Sequence, residues 1–325
     1  MIGTNTIFNI NNQTEFEDSA LQIFNFQFKN NSVYRSFCDL LYKHPSDVKT
    51  IKDIPFLPIQ FFKTHKVLSS EPIQTTFTSS GTTGSITSKH YVSDLEIYNQ
   101  SFTRGFQEFY GNIEDYIVLA LLPSYLERAG SSLVYMVNDM ISKSKHPESG
   151  FYLNNLSELK DRLIKLDHQG KKVLLIGVSF ALLDLVETHQ FNLKNTIIME
   201  TGGMKGRRKE LIREELHKQL KTGFGVENIH SEYGMTELLS QAYSKGNGVF
   251  NCPKWMKILT RDTEDALSIN TFEKAGGINV IDLANIHSCS FIATQDLGLV
   301  NKDGTFEIVG RFDNSDIRGC NLMVL

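Results

Sequence analysis

Two unbroken apolar runs constrain this chain more than anything else in it: Tyr116-Ile117-Val118-Leu119-Ala120-Leu121-Leu122 and Lys171-Lys172-Val173-Leu174-Leu175-Ile176-Gly177. A strand with one wet face alternates apolar and polar residues, so a continuous run needs cover on both faces. The first run stops at Pro123, which has no amide hydrogen to give a ladder. The second leads into a helical pattern from Phe180 to Thr188, and Thr196-Ile197-Ile198-Met199-Glu200 then reads as another strand. Strands alternating with helices imply an α/β fold with layered parallel and mixed sheets. In such open sheets ligands bind beyond the carboxyl ends of the strands, and the polar clusters of this sequence fall there.

The flanking segments fill in the organisation. Residues 16–44 carry apolar side chains at mixed three- and four-residue spacing, a helical entry, and residues 94–110 form a second amphipathic helix. Residues 54–63 are held extended by Pro55 and Pro58. Past Glu237 long helices give way to short strands with Gly, Asn and Asp turns, a small β-rich subdomain over about residues 241–308. With 325 residues and 41% hydrophobic content, the chain can bury a sizeable core. A net charge of −4 with interspersed signs lacks the basic face of a nucleic-acid binder. No apolar run reaches the roughly 20 residues of a membrane span, and no secretory signal opens the chain. The four cysteines have no CxxC pairing, as in a reduced, cytoplasmic protein.

The chemistry concentrates in a few short segments. Thr78-Ser79-Ser80-Gly81-Thr82-Thr83-Gly84 is built almost wholly of hydroxyls and glycines, after a short strand at Ile73-Gln74-Thr75-Thr76-Phe77. Glycines let the backbone approach an anion, and successive amides and hydroxyls converge on phosphate oxygens. Lys89 and, when protonated, His90 add positive charge beyond it. A Ser/Thr-rich surface turn has the same composition, and the loop is neither a Walker loop nor GxGxxG. Far downstream lies Glu232-Tyr233-Gly234-Met235-Thr236-Glu237. Its carboxylate suits Mg²⁺, which takes one or two carboxylates plus substrate phosphates; a Thr-Glu pair is also an ordinary helix cap. Thr201-Gly202-Gly203-Met204, Thr294-Gln295-Asp296-Leu297-Gly298 and Gly310-Arg311-Phe312-Asp313 complete the series.

In their order along the chain the five segments resemble the adenylate-forming superfamily of acyl-CoA ligases, luciferases and nonribosomal adenylation domains. The resemblance implies ATP and Mg²⁺ as cofactors and a large adenylate-forming domain over residues 1–309. Carried over, Thr78 through Gly84 and Lys89 hold phosphates, Gly202 and Gly203 line the nucleotide and acyl pocket, and Tyr233, followed by Gly234, stacks on adenine. Thr236 touches the α-phosphate, Glu237 holds the metal, and Asp296 and Arg311 bind ribose. Members of the superfamily continue past the hinge motif into a mobile domain with a catalytic lysine. This sequence stops at Leu325, and the expectation is that the lysine domain is absent.

Residues 310–325 are expected to form a hinge and a short arm bearing Cys320. That ending, with the segments at residues 58–65 and 123–136, resembles the acyl-protein synthetases of bacterial-luminescence fatty-acid reductase complexes. The resemblance implies that a carboxylic acid, a fatty acid in that family, is adenylated, moved to Cys320 as a thioester and delivered to an acyl reductase or acyl-carrier partner. Nine residues from Arg311 to Cys320 span at most about 30 Å extended, ample for such an arm. Arg318 would favour the thiolate, although a free cysteine is often only a small buried hydrophobe. Two other readings stay open. One is a phenylacetate-type acyl-CoA ligase, with CoA as acceptor; the other is a non-catalytic partner that binds nucleotide or acyl groups.

Overall fold

The computed structural model describes residues 3–80, 86–123, 130–202 and 211–312. A short strand β1 (Leu57–Pro58) precedes a two-stranded hairpin of β2 (Thr75–Thr78) and β3 (Lys89–Val92). Then follow β4 (Ile117–Leu121), β5 (Gly150–Phe151), β6 (Val173–Val178), β7 (Thr196–Thr201) and β8 (His230–Tyr233). These five lie parallel in the order β5-β4-β6-β7-β8. Every residue of β4 and β6 is buried, as their unbroken apolar sequences require. The crossovers are the helices Ser132–Ser144, Leu156–His168, Ser179–Thr188 and Arg213–Phe224.

Beyond β8 each strand runs antiparallel to its neighbours in the ladder. β9 (Ala242–Ser244), β10 (Val249–Asn251), β11 (Met256–Arg261), β12 (Gly276–Asp282), β13 (Phe291–Val300) and β14 (Phe306–Arg311) pair antiparallel. They continue the ladder past β8 in the order β8-β9-β10-β14-β13-β12-β11, and β1 joins β13 in parallel, giving a 12-stranded sheet. The hairpin β2–β3 stands apart as a second sheet. No helix among the described residues is long and apolar enough to cross a membrane.

Local chemistry sets the helix ends. The Asp94 side chain accepts from the Glu96 amide and starts the helix Leu95–Tyr110, which Gly111 ends at φ 83°. Asn31 divides the entry helix expected over residues 16–44 into Gln13–Asn30 and Ser32–Leu40. Its Oδ1 caps the second helix at the Tyr34 amide and its Nδ2 reaches the Ser288 carbonyl at 2.9 Å. A side chain that bonds backbone on both sides competes with continuation of the helix. The end of residues 54–63, expected extended, enters one helical turn, Phe61–Thr64, closed by the His65 amide on the Phe61 carbonyl.

Candidate active site

The parallel ladder brings three strand ends into line: Val178 of β6 lies beside Thr201 of β7, and Thr201 beside Glu232 of β8. Ser179, Gly202 and Gly234 therefore leave the sheet at one edge. Gly202 takes φ 65°, a left-handed turn that favours glycine. The Ser179 hydroxyl sits 2.7 Å from the Gly202 carbonyl and 3.2 Å from Glu200 Oε2, and the Thr201 hydroxyl donates to the Glu232 carboxylate.

The antiparallel strands deliver a second group to this edge. Asp296 of β13 faces Arg311 of β14 in register. The Tyr233 hydroxyl donates to Asp296 Oδ2 at 2.9 Å, and Arg311 Nε lies 3.1 Å from Asp296 Oδ1. The Asp296 side chain is 10% exposed and that of Arg311 70%. Burial raises the Asp296 pKa, opposed by the Arg311 charge, the Tyr233 hydroxyl and the Arg261 charge. The Tyr233 ring is buried, with Phe250 and Phe306 at centroid distances of 6.0 and 5.6 Å. Arg261 is also buried, donating to the carbonyls of Ile278 and Thr294 and to Asn279 Oδ1.

Between these groups runs the turn after β8. The Leu238 amide bonds the Met235 carbonyl at 3.1 Å, placing Thr236 and Glu237 at the bend. Two residues without a sequence signal fix its far side. Asp282 accepts from the amides of Leu239 and Ser240 at 2.9 and 3.0 Å and from the Ser240 hydroxyl at 2.6 Å. Asn285 Nδ2 donates to the Glu237 carbonyl at 2.8 Å. Burial pushes the Asp282 pKa up to about 6, against the pull of those hydrogen bonds. Both residues lie more than 40 positions from the turn, so no local pattern announces them.

Glu237 is buried and has no ion pair among the described residues. Burial raises its pKa, opposed by the Ser88 hydroxyl and by the charges of Lys63 and Arg311. A buried carboxylate without a bonded cation fits an Mg²⁺ ion whose remaining ligands are water and substrate oxygens. No group of three or more His, Cys, Asp or Glu that could hold a metal occurs among the described residues.

The hairpin brings the first motif to the same turn. Thr78 and Lys89 face each other, the Ser79 amide bonds the Ser88 carbonyl, and the Ser88 amide bonds the Ser79 hydroxyl. Ser80 and Lys89 are exposed, Thr78 and Ser79 half-buried. The Thr78 amide bonds the Gly130 carbonyl at 2.7 Å, just before Ser131 caps the helix Ser132–Ser144. His90, expected to add positive charge when protonated, is instead fully buried, with Nδ1 2.8 Å from the Thr236 carbonyl, and burial disfavours its charged form. Thr236, Glu237, Tyr233, Gly234, Asp296 and Arg311 thus gather near one another, with Thr78, Ser79 and Lys89 on the adjoining hairpin. Gly81, Thr82, Thr83, Gly84, Gly203 and Cys320 lie outside the described residues.

A family model described as acyl-protein synthetase, LuxE, matches residues 8–325. No curated protein matches the sequence significantly. Among solved structures, 2-hydroxyisobutyryl-CoA ligase in an open conformation with 2-HIB-AMP and CoA is similar at TM-score 0.66 and 12% identity, over 93% of this chain and 70% of that one. The same ligase in its thioesterification state gives TM-score 0.64 and 13% identity over 97% and 73%. ATP-bound MatB from Rhodopseudomonas palustris gives TM-score 0.53 and 15% identity over 76% of this chain and 49% of its own. At these identities the likeness establishes the fold, that of adenylate-forming ligases.

Proposed function

This chain belongs to the LuxE acyl-protein synthetase family, and on that premise we propose that it activates a fatty acid with ATP as acyl-AMP and carries the acyl group on Cys320. The observation that best supports this reading is the meeting of Asp296, braced by Tyr233 and Arg311, with Glu237 at one sheet edge. A carboxylate resists attack because it is anionic and has a poor leaving group. In the first step a carboxylate oxygen attacks the α-phosphorus and pyrophosphate leaves. In the second the Cys320 thiolate attacks the acyl carbon and AMP leaves, giving a thioester for an acyl reductase or acyl-carrier partner.

Each residue has a task in this scheme. Asp296 keeps acceptor capacity beyond its bonds to Tyr233 and Arg311, and offers it to ribose hydroxyls. Tyr233 is only 9% exposed, so it serves by holding Asp296 rather than by stacking on adenine. Thr236, residues 78–84 and Lys89 donate to phosphate oxygens, while Gly202, Gly203 and Gly234 give the backbone close access. Glu237 would hold Mg²⁺, which supplies charge neutralisation on the phosphates. Catalysis is chiefly electrostatic alignment of two anions.

Intact-protein mass after incubation with Mg-ATP and a panel of fatty and aryl acids tests this, with Cys320→Ala beside the wild type. The expected result is an ATP-dependent, hydroxylamine-sensitive adduct on the wild type only. Pyrophosphate release without an adduct, together with acyl-CoA formation by Cys320→Ala, would replace it with a CoA ligase. No pyrophosphate with any acid would favour the non-catalytic partner.

A further inference from the structure

We propose that His90 is a positioning residue whose Nδ1–H, bonded to the Thr236 carbonyl, locks the hairpin that carries residues 79–88 onto the turn that carries Glu237. The inference rests on the function proposed above only where it concerns ATP. A carbonyl only accepts, so at 2.8 Å the proton must sit on Nδ1. Burial holds the ring neutral, with the pKa lowered to about 4. Nε2 is then a bare acceptor, and it is buried without a hydrogen-bond partner among the described residues.

An unpartnered buried acceptor is unfavourable, and the surroundings give it nothing. Phe62 meets the ring edge-on at 5.8 Å, and the residue facing His90 across the hairpin is Phe77. Leucine would pack in this apolar setting without that penalty. What leucine cannot supply is the Nδ1 donor.

The bond matters because it joins the hairpin to the turn, whereas the hairpin's core contacts, Phe77 against Tyr98 and Tyr135 at 5.3 and 5.7 Å, lie away from the turn. The hairpin is a two-stranded sheet separate from the large one, and an isolated hairpin is marginal by itself. At its loop end the Thr78 amide ties it to Gly130. At the same end Ser88 and His90, two residues apart, meet the adjacent residues Glu237 and Thr236. The strand ends that bear Thr78, Ser79 and Ser88 and the turn of the second motif are thereby held together before any nucleotide arrives.

Three variants separate this role from mere packing. His90→Asn keeps a donor near the Nδ1 position, His90→Gln moves the amide toward the Nε2 position, and His90→Leu keeps bulk alone. We expect Gln and Leu to raise KM for ATP about tenfold, the effect of losing one hydrogen bond worth about 1.4 kcal/mol. KM for the acid stays unchanged, and Asn remains within about threefold of wild type. If Leu fails to fold, the Asn–Gln pair decides. Equal losses in Asn and Gln, or KM for ATP and acid rising together, overturn the inference. Amide exchange without nucleotide gives a reading independent of activity: residues 86–92 and 236–240 should exchange faster in Gln and Leu and not in Asn. Unchanged exchange in all three also overturns it, whereas a wild type that never releases pyrophosphate sinks the proposed function alone.

Discussion

The parallel and antiparallel parts of the large sheet contribute to the site in different ways. In the parallel part, β4 and β6 are buried along their whole length, so the strands are spacers and only the residues just past their ends are chemically available. In the antiparallel part, β13 alternates buried and half-buried positions over most of its length. Asp296, from the interior of β13, and Arg311, at the end of β14, can therefore pair across the ladder and enter the site directly. The turn after β8 lies where the two styles meet. One part builds by where strands stop, the other by which residues face each other.

This contrast can be broken first at the turn. Glu237→Gln should lower ATP-dependent pyrophosphate release by about 100-fold or more, the scale of losing a transition-state charge contact. An effect under about threefold in a pyrophosphate-exchange assay would remove Glu237 from the chemistry. Asp282→Ala attacks the same turn through the antiparallel part. It leaves the Leu239 and Ser240 amides without their acceptor, and urea unfolding should show a loss of about 3 kcal/mol. A loss below about 1 kcal/mol would mean that the turn does not depend on β12.

The same aspartate gives a pH test. Its pKa is raised from 3.8 to about 6, so the folded state keeps its proton longer than the unfolded chain. Its contribution to stability is then present below about pH 3.8 and is lost as pH rises towards 6. Asp282→Asn should lack that slope. Parallel stability curves for wild type and Asp282→Asn over this range would contradict the assignment.

In the parallel part β4, β6 and β7 were readable because each is a local apolar pattern, whereas the two-residue β5 carries none. Residues 116–122 and 171–177 needed no partner to be recognised. The antiparallel part was readable only as a change of texture, since neither the pairing of Asp296 with Arg311 nor the bulge between Leu297 and Gly298 is written in either segment alone. The site shows the same split. Glu237, Asp296 and Arg311 stood out through motif order. Asp282 and Asn285 carry no short-range signal, and neither does the burial of His90, whose ring packs against Phe62 from another element. Asn31 marks another limit: the apolar spacing runs across it, and only its reach to Ser288 explains the break.

The smallest expected effect tests the cross-strand pair most finely. Tyr233→Phe removes one hydroxyl from a buried cluster and leaves the ring against Phe250 and Phe306. A single hydrogen bond to a charged group contributes about 1.5–3 kcal/mol net, of which only a part reaches ATP through Asp296. If Tyr233 only holds Asp296, KM for ATP should rise about three- to fivefold while KM for the acid is unchanged. The hydroxyl helps to keep Asp296 ionised, so its loss should also move the acid limb of ATP binding to higher pH. Arg311→Ala provides the contrast. Its side chain is largely exposed, so its charge is partly screened, and its effect should shrink in high salt, as that of Tyr233→Phe should not. Two variants with the same salt dependence would mean that both partners act on Asp296 as surface charges, and the distinction between a buried brace and an exposed one would fall.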